Sequence, residues 1–165
     1  MSVQVHRVYI RTSPQAIWDA ITKPEWTAKY GYTGLTDFDP KPGGRYVVHP
    51  TREFIGMGIT GDLIDGEVVE VDPPRRLVLS WRMLMDPALK EEGFTRLTYE
   101  IVETKTAGTR LTVTHDLSGA PGLARMVAGE FDDPSAEPGQ NAGGGWPWIL
   151  SDLKSLLETG SPIVS

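Results

Sequence analysis

Apolar residues recur at helical spacing late in the chain, where Ile149, Leu150, Leu153, Leu156 and Leu157 line one side of GGGWPWILSDLKSLLETG (143–160). Ser151, Asp152, Lys154, Ser155 and Glu158 take most of the other side. Pro147 suits the first turn, Gly160 suits the position just past the last, and Pro162 blocks continuation. A helix with this much apolar surface needs a partner. The pattern elsewhere supplies one, because it switches to a period of two.

Residues 3–11 alternate imperfectly, with Val3, Val5 and Arg7 on one side and Gln4, His6, Val8 and Ile10 on the other. Ser13-Pro14 opens a short helix over 14–22 with Ile17, Trp18 and Ile21 on one face. Pro24 stops it and starts a second, PEWTAKY, ending at Gly31. Strand-like segments follow from Leu35. Gly43-Gly44 turns into a strand over 45–49, and 58–72 reads as a further strand region with Gly61 and Gly66 as bends or bulges. The strongest strand is 76–85, with Leu77, Leu79, Trp81 and Met83 on one face. After a loop at 86–93 come 95–103 (Leu97, Tyr99, Ile101 inward) and 109–117 (Leu111, Val113, His115, Leu117 inward). These three strands predict an antiparallel meander with one dry face. Residues 123–131 suit a short helix, and the Gly-, Pro- and acid-rich remainder up to Gly145 reads as a mobile loop.

The pattern therefore predicts a two-layer α+β domain: one sheet, one long helix and two short helices after the first strand. If the sheet curls around the helix, the space inside exceeds what the side chains fill. The 165 residues are expected to form a single domain, 1–165.

Composition narrows the chemistry. Hydrophobic residues make up 39% and charged residues 23%, with a net charge of −6, which argues against nucleic acid as a partner. With no cysteine, disulfides, zinc–thiolate sites and thiol nucleophiles are excluded. Three dispersed histidines (His6, His49, His115) offer no metal-ligand spacing, so no metal and no cofactor are expected. No apolar run is long enough to span a bilayer, and the first residues lack a signal-peptide layout, so the expectation is a cytoplasmic protein without membrane contact. Neither a phosphate-binding glycine loop nor a nucleophile elbow is present. Arg75, Arg76 and Arg82 read as a solvated outer face.

Segments VHRVYIRTSPQAIWDAITKPEWTAKYG, GEVVEVDPPRRLVLSW, TRLTYEIVE, TRLTVTHD and GGWPWILSDLKSLLETG together resemble the START-like, or SRPBCC, superfamily, whose helix-grip fold is that of the birch-pollen allergen. Within it the chain is most similar to the family named for the activator of the 90-kDa heat-shock protein ATPase. The resemblance implies about seven antiparallel strands gripping the C-terminal helix around an apolar cavity, and it implies no shared catalytic motif.

On that fold the expected function is binding of a small hydrophobic or aromatic molecule between sheet and helix. The ligand-binding candidates are Trp26, Tyr30, Trp81, Tyr99, His115, Trp146, Ile149 and Leu153. Each also has a plainer reading. Trp81 lines a cavity or packs in a core, and His115 meets a ligand or is a satisfied structural histidine. Trp146 and Trp148 form a lid or staple the helix start onto the sheet. Two alternatives stand beside binding. One is an enzyme of the polyketide cyclase or hydrolase type, or a natural-product resistance protein, on the same cavity. The other is a co-chaperone-like interaction domain. Exposed strand edges also permit a homodimer.

Overall fold

The computed structural model describes residues 2–127 and 145–163. Its frame is a seven-stranded antiparallel sheet built from β1 (Val3–Ile10), β2 (Leu35–Phe38), β3 (Arg45–His49), β4 (Ile64–Asp72), β5 (Arg76–Met83), β6 (Thr95–Glu103) and β7 (Thr109–Asp116). The spatial order is β1-β7-β6-β5-β4-β3-β2, so the first two strands stand at opposite edges. Between them in sequence lie α1 (Pro14–Thr22) and α2 (Pro24–Thr27), and α6 (Gly145–Thr159) packs against the concave side. This is the two-layer α+β architecture that the periodicity predicts and the helix-grip fold that the resemblance implies.

Local chemistry explains the boundaries. Ser13 caps α1 by accepting from the Ala16 amide at 3.2 Å, with Pro14 at the first helical position. Pro24 separates α1 from α2 because it has no amide to continue the ladder. Gly160 takes the left-handed conformation (φ 86°) and closes α6 through its amide to the Leu156 carbonyl. Inward residues Leu77, Leu79, Leu97, Ile101, Leu111 and Val113 meet Leu150 and Leu153 of α6 in one core.

The structure differs from expectation in the connections. Residues 58–63 are not strand, since β4 begins at Ile64. Before them stands α3 (Arg52–Gly56), whose Thr51 cap accepts from Phe54 N, a start signal the sequence reading passes over. The bulge in β4 falls between Val68 and Glu70 rather than at a glycine. Gly66 is instead a close approach: a Cβ there would lie 1.8 Å from the Ser80 carbonyl oxygen of β5. The segment expected as loop after β5 contains α4 (Pro87–Glu91), capped by the Asp86 carboxylate on Ala88 N. The helix expected over 123–131 appears as α5 (Pro121–Val127), and the rest of that segment, with the loop expected up to Gly145, lies outside the described residues.

Arg75, Arg76 and Arg82 all point outward into ion pairs, with Asp72, with Glu70 and Glu100, and with Asp65. No helix among the described residues is long and apolar enough to cross a membrane.

Candidate functional site

Strand parity aims Trp81 (β5), Tyr99 (β6) and His115 (β7) at the concave side, where the first turn of α6 brings Trp146 down onto them. Trp81 meets His115 edge-on with ring centroids 5.2 Å apart. Trp146 meets His115 at 6.0 Å and Tyr99 at 6.1 Å. T-shaped contacts of this kind set the positive edge of one ring against the electron-rich face of another.

A chain of hydrogen bonds runs through the same cluster. An indole nitrogen only donates, so the 3.2 Å contact from Trp146 Nε1 makes His115 Nδ1 an acceptor and places the ring proton on Nε2. That proton is donated to Thr95 Oγ1 at 2.8 Å, and the Thr95 hydroxyl donates in turn to the Trp81 carbonyl at 3.0 Å. His115 is 0% exposed. Burial drives its pKa down to about 4, against an upward pull from Asp116 and with a further downward push from His6. The imidazole is therefore neutral, with both nitrogens committed. Moving a proton to or from a bound molecule would first require breaking one of these bonds.

A second polar group of the interior consists of three tyrosines and one carboxylate. Tyr30, from the turn after α2, donates to the Ala20 carbonyl at 2.8 Å. Burial pushes the Tyr46 hydroxyl (β3) up to about 12, against a smaller opposite pull from Thr36. Burial, with the nearby Tyr46 and Tyr30, raises Tyr99 well above the usual phenol range. Asp152 of α6 accepts from Gly31 N at 2.7 Å and from Ile163 N at 2.6 Å while only 2% exposed. Its carboxylate thus ties the α2–β2 turn and the chain beyond α6 to the middle of the helix.

Of the eight expected residues, Trp81, Tyr99, His115, Trp146 and Leu153 lie together in the core. Tyr30, Ile149 and Trp26 pack around it half-buried, Trp26 beneath the Lys29 ammonium at 4.7 Å. Trp148 turns away from this cluster to stack on Tyr32 at 5.3 Å, and Tyr32 Oη accepts from Gly145 N. Sequence reasoning missed Thr95 and Asp152 as inward groups. Thr95 shares the parity of Leu97 and Tyr99, and that parity was enough to aim it inward. Asp152 stands three residues after Ile149 and four before Leu156, at the margin of the apolar stripe, although it was assigned to the polar side.

Two depressions lie elsewhere. One, of about 660 Å³, runs between α1 and the β2 edge, lined by Trp18, Pro24, Leu35, Phe38 and Pro40 with Lys23 and His49 beside them. The other, of about 310 Å³, is on the outer face near Ser80, Phe94, Arg96 and Asp116. Neither includes any of the eight expected residues. The converging aromatic and polar groups make the seam between sheet and α6 the candidate site.

Comparison with known proteins agrees with this architecture. The family model described as Activator of Hsp90 ATPase homolog 1-like protein matches residues 11–158. A Mesorhizobium loti protein of known structure is 24% identical, covers 94% of this chain and 96% of its own, and superposes with a TM-score of 0.61. DynU16, a protein of the dynemicin biosynthetic locus, is 22% identical with a TM-score of 0.66; the match covers 98% of this chain and 49% of DynU16, so the chain spans about half the length of that relative. The Aha1 dimer from Colwellia psychrerythraea is 19% identical over 97% of this chain and 98% of its own, with a TM-score of 0.60. No curated protein matched by sequence.

Proposed function

Because the chain belongs to the Activator of Hsp90 ATPase homolog 1-like family, we propose that it binds a small hydrophobic or aromatic molecule between the sheet and α6, as one domain. The observation that carries the reading is the convergence of Trp81, Tyr99, His115 and Trp146 on the concave side, with the Tyr99 hydroxyl kept neutral among them. A phenol donates as well as accepts, so a guest with an oxygen acceptor has a donor in the Tyr99 hydroxyl. Trp81, Trp146, Leu153 and Ile149 supply flat and branched apolar walls around it, with Trp26 and Tyr30 toward the mouth. His115 serves here to hold Trp146 against the sheet. Its committed nitrogens favour binding over proton transfer as the work of this site.

The assay is a thermal-shift panel of polycyclic phenols, quinones and lipid-like molecules against the wild type and Tyr99→Phe. The expected result is a ligand that raises the melting temperature of the wild type and does so less for Tyr99→Phe. A panel without any stabilising compound, or ligands indifferent to the Tyr99 hydroxyl, would overturn the assignment. The Colwellia dimer also supports reading this chain as one that associates with a second copy.

A further inference from the structure

α6 leans toward one edge of the sheet. Its C-terminal half runs along β1, with Lys154 Nζ on Tyr9 O at 2.5 Å and Glu158 accepting from Arg11 N at 2.8 Å. The helix packs on β1, α1 and α5, whereas β2 at the opposite edge packs on β3, α1 and α2. The side of the seam toward β2 is crossed by the connection from α2 to β2, residues 28–34. This strap is clasped to the N-terminal half of α6. Gly31 N donates to Asp152 Oδ2 at 2.7 Å, and a Cβ on Gly31 would lie 3.5 Å from the Ile149 side chain. Tyr32 stacks on Trp148 with ring centroids 5.3 Å apart, and its hydroxyl accepts from Gly145 N at 3.1 Å.

The ends of the strap are fixed and its tip is not. Tyr30 Oη donates to Ala20 O at 2.8 Å, and Thr27 Oγ1 donates to Gly34 O at 2.8 Å while accepting from Thr36 N at 3.3 Å. Between these anchors Gly31 takes a positive φ of 61°, and Gly34 lies against β3, where a Cβ would run into the Val48 side chain. Thr33, at φ 55°, is the one non-glycine residue with positive φ among the described residues. A β-branched side chain is strained in that conformation, so the closed strap stores strain that its release relieves. Tyr32 is already 52% exposed, and lifting it uncovers little further apolar surface. Fixed ends, a glycine on each side and a strained middle make a segment with two positions.

We propose that residues 31–34 are the door of the site between sheet and α6. The tip swings off the helix about its two glycines, admits a flat apolar guest past Ile149, and closes again on Asp152, Trp148 and Gly145. This rests on the binding reading above and adds the route by which a guest enters. Opening breaks the hydrogen bonds of Gly31 N and Tyr32 Oη and one aromatic contact, while the strands and α6 keep their own ladders. Asp152 keeps the Ile163 amide at 2.6 Å, so its carboxylate is not stranded when the strap leaves.

Native-state hydrogen exchange tests the movement without any guest. The Gly31 amide is expected to exchange through a local opening that urea does not accelerate, well before Leu97 and Val113 of the core strands. Thr33→Asn, which suits the left-handed region better, should slow that opening about fivefold. A Gly31 amide that exchanges only together with the core strands, or that ignores Thr33→Asn, overturns the door. A disulfide tests the passage. The chain has no cysteine, and a Cβ on Gly31 would stand 3.9 Å from Ile149 Cβ, within the usual span of such a bond. The double variant Gly31→Cys/Ile149→Cys is compared oxidised and reduced, with 2-naphthol as the probe and stopped-flow quenching of tryptophan fluorescence as the readout. The reduced form is expected to show a saturable association phase that the oxidised form loses, with the same circular dichroism in both. Equal rates in the two forms overturn the door alone. No saturable binding of 2-naphthol by either form or by the wild type overturns the binding reading and the door with it.

Discussion

Lowering the pH from 7 should weaken the fold through His115 in particular. An unfolded histidine titrates near 6.5, whereas burial brings His115 in the folded chain down to about 4. Between these values the unfolded chain binds a proton that the folded chain refuses. The stabilisation is therefore fully present above about 6.5 and is lost progressively as the pH falls toward 4. A fall from 6.5 to about 4, at 1.36 kcal/mol per pH unit, corresponds to about 3 kcal/mol. Burial is the cause, and protonation has a structural consequence: a protonated Nδ1 can no longer accept from the Trp146 indole, and the start of α6 loses its polar tie to the sheet. Urea unfolding at half-unit steps from pH 7.5 to 4.5 measures the effect, with His115→Asn as the non-titrating reference. His6, which burial also lowers, titrates in both proteins, so the difference between them isolates His115. The wild type should lose about 2–3 kcal/mol more than the variant over this range. Parallel curves would refute the claim that this ring is held neutral by its surroundings.

Trp146→Phe keeps an aromatic ring at the helix start but removes the donor to His115 Nδ1, and should lower stability at pH 7 by about 1–3 kcal/mol in chemical denaturation. Asp152→Asn turns one of two acceptor positions into a donor facing an amide. It should cost about 1.5–3 kcal/mol and raise hydrogen exchange selectively at Gly31 and Ile163. His49 works with the opposite sign to His115. Its ring bridges Asp62 at 2.6 Å and Asp37 at 3.1 Å, with Arg45 also on Asp37, and these partners raise its pKa. Its contribution is complete below the unfolded value near 6.5 and disappears as the pH rises through the folded one. His49→Gln should accordingly lower the melting temperature at pH 6 and leave it unchanged at pH 9.

The two-layer frame of one sheet and one long helix was readable from the sequence because it rests on local signals. Leu77, Leu79 and Trp81 alternate on β5, Ser13-Pro14 starts α1, and Gly160 ends α6. Parity alone also directed Trp81, Tyr99 and His115 to one face. What the pattern left hidden depends on partners distant in sequence. The acceptor role of His115 Nδ1 is set by Trp146, 31 residues away, and Asp152 is buried because Gly31 and Ile163 bring it their amides. The short helix α3 escaped because five residues hold too little periodicity to register, although Thr51 marks its start. Gly66 looked like a bend in sequence; its reason is the Ser80 carbonyl of the neighbouring strand.

The central claim is that the grip encloses room for a guest beside Tyr99. Xenon enters apolar cavities without needing specific polar contacts, so methyl-detected NMR of the protein under xenon pressure tests the claim most directly. Saturable shifts at Leu153 and Leu156, and at ring protons of Tyr99 and Trp146, with the outer-face Val3 and Val102 unmoved, are the result expected. Interior methyls that respond no more than those on the surface would contradict it.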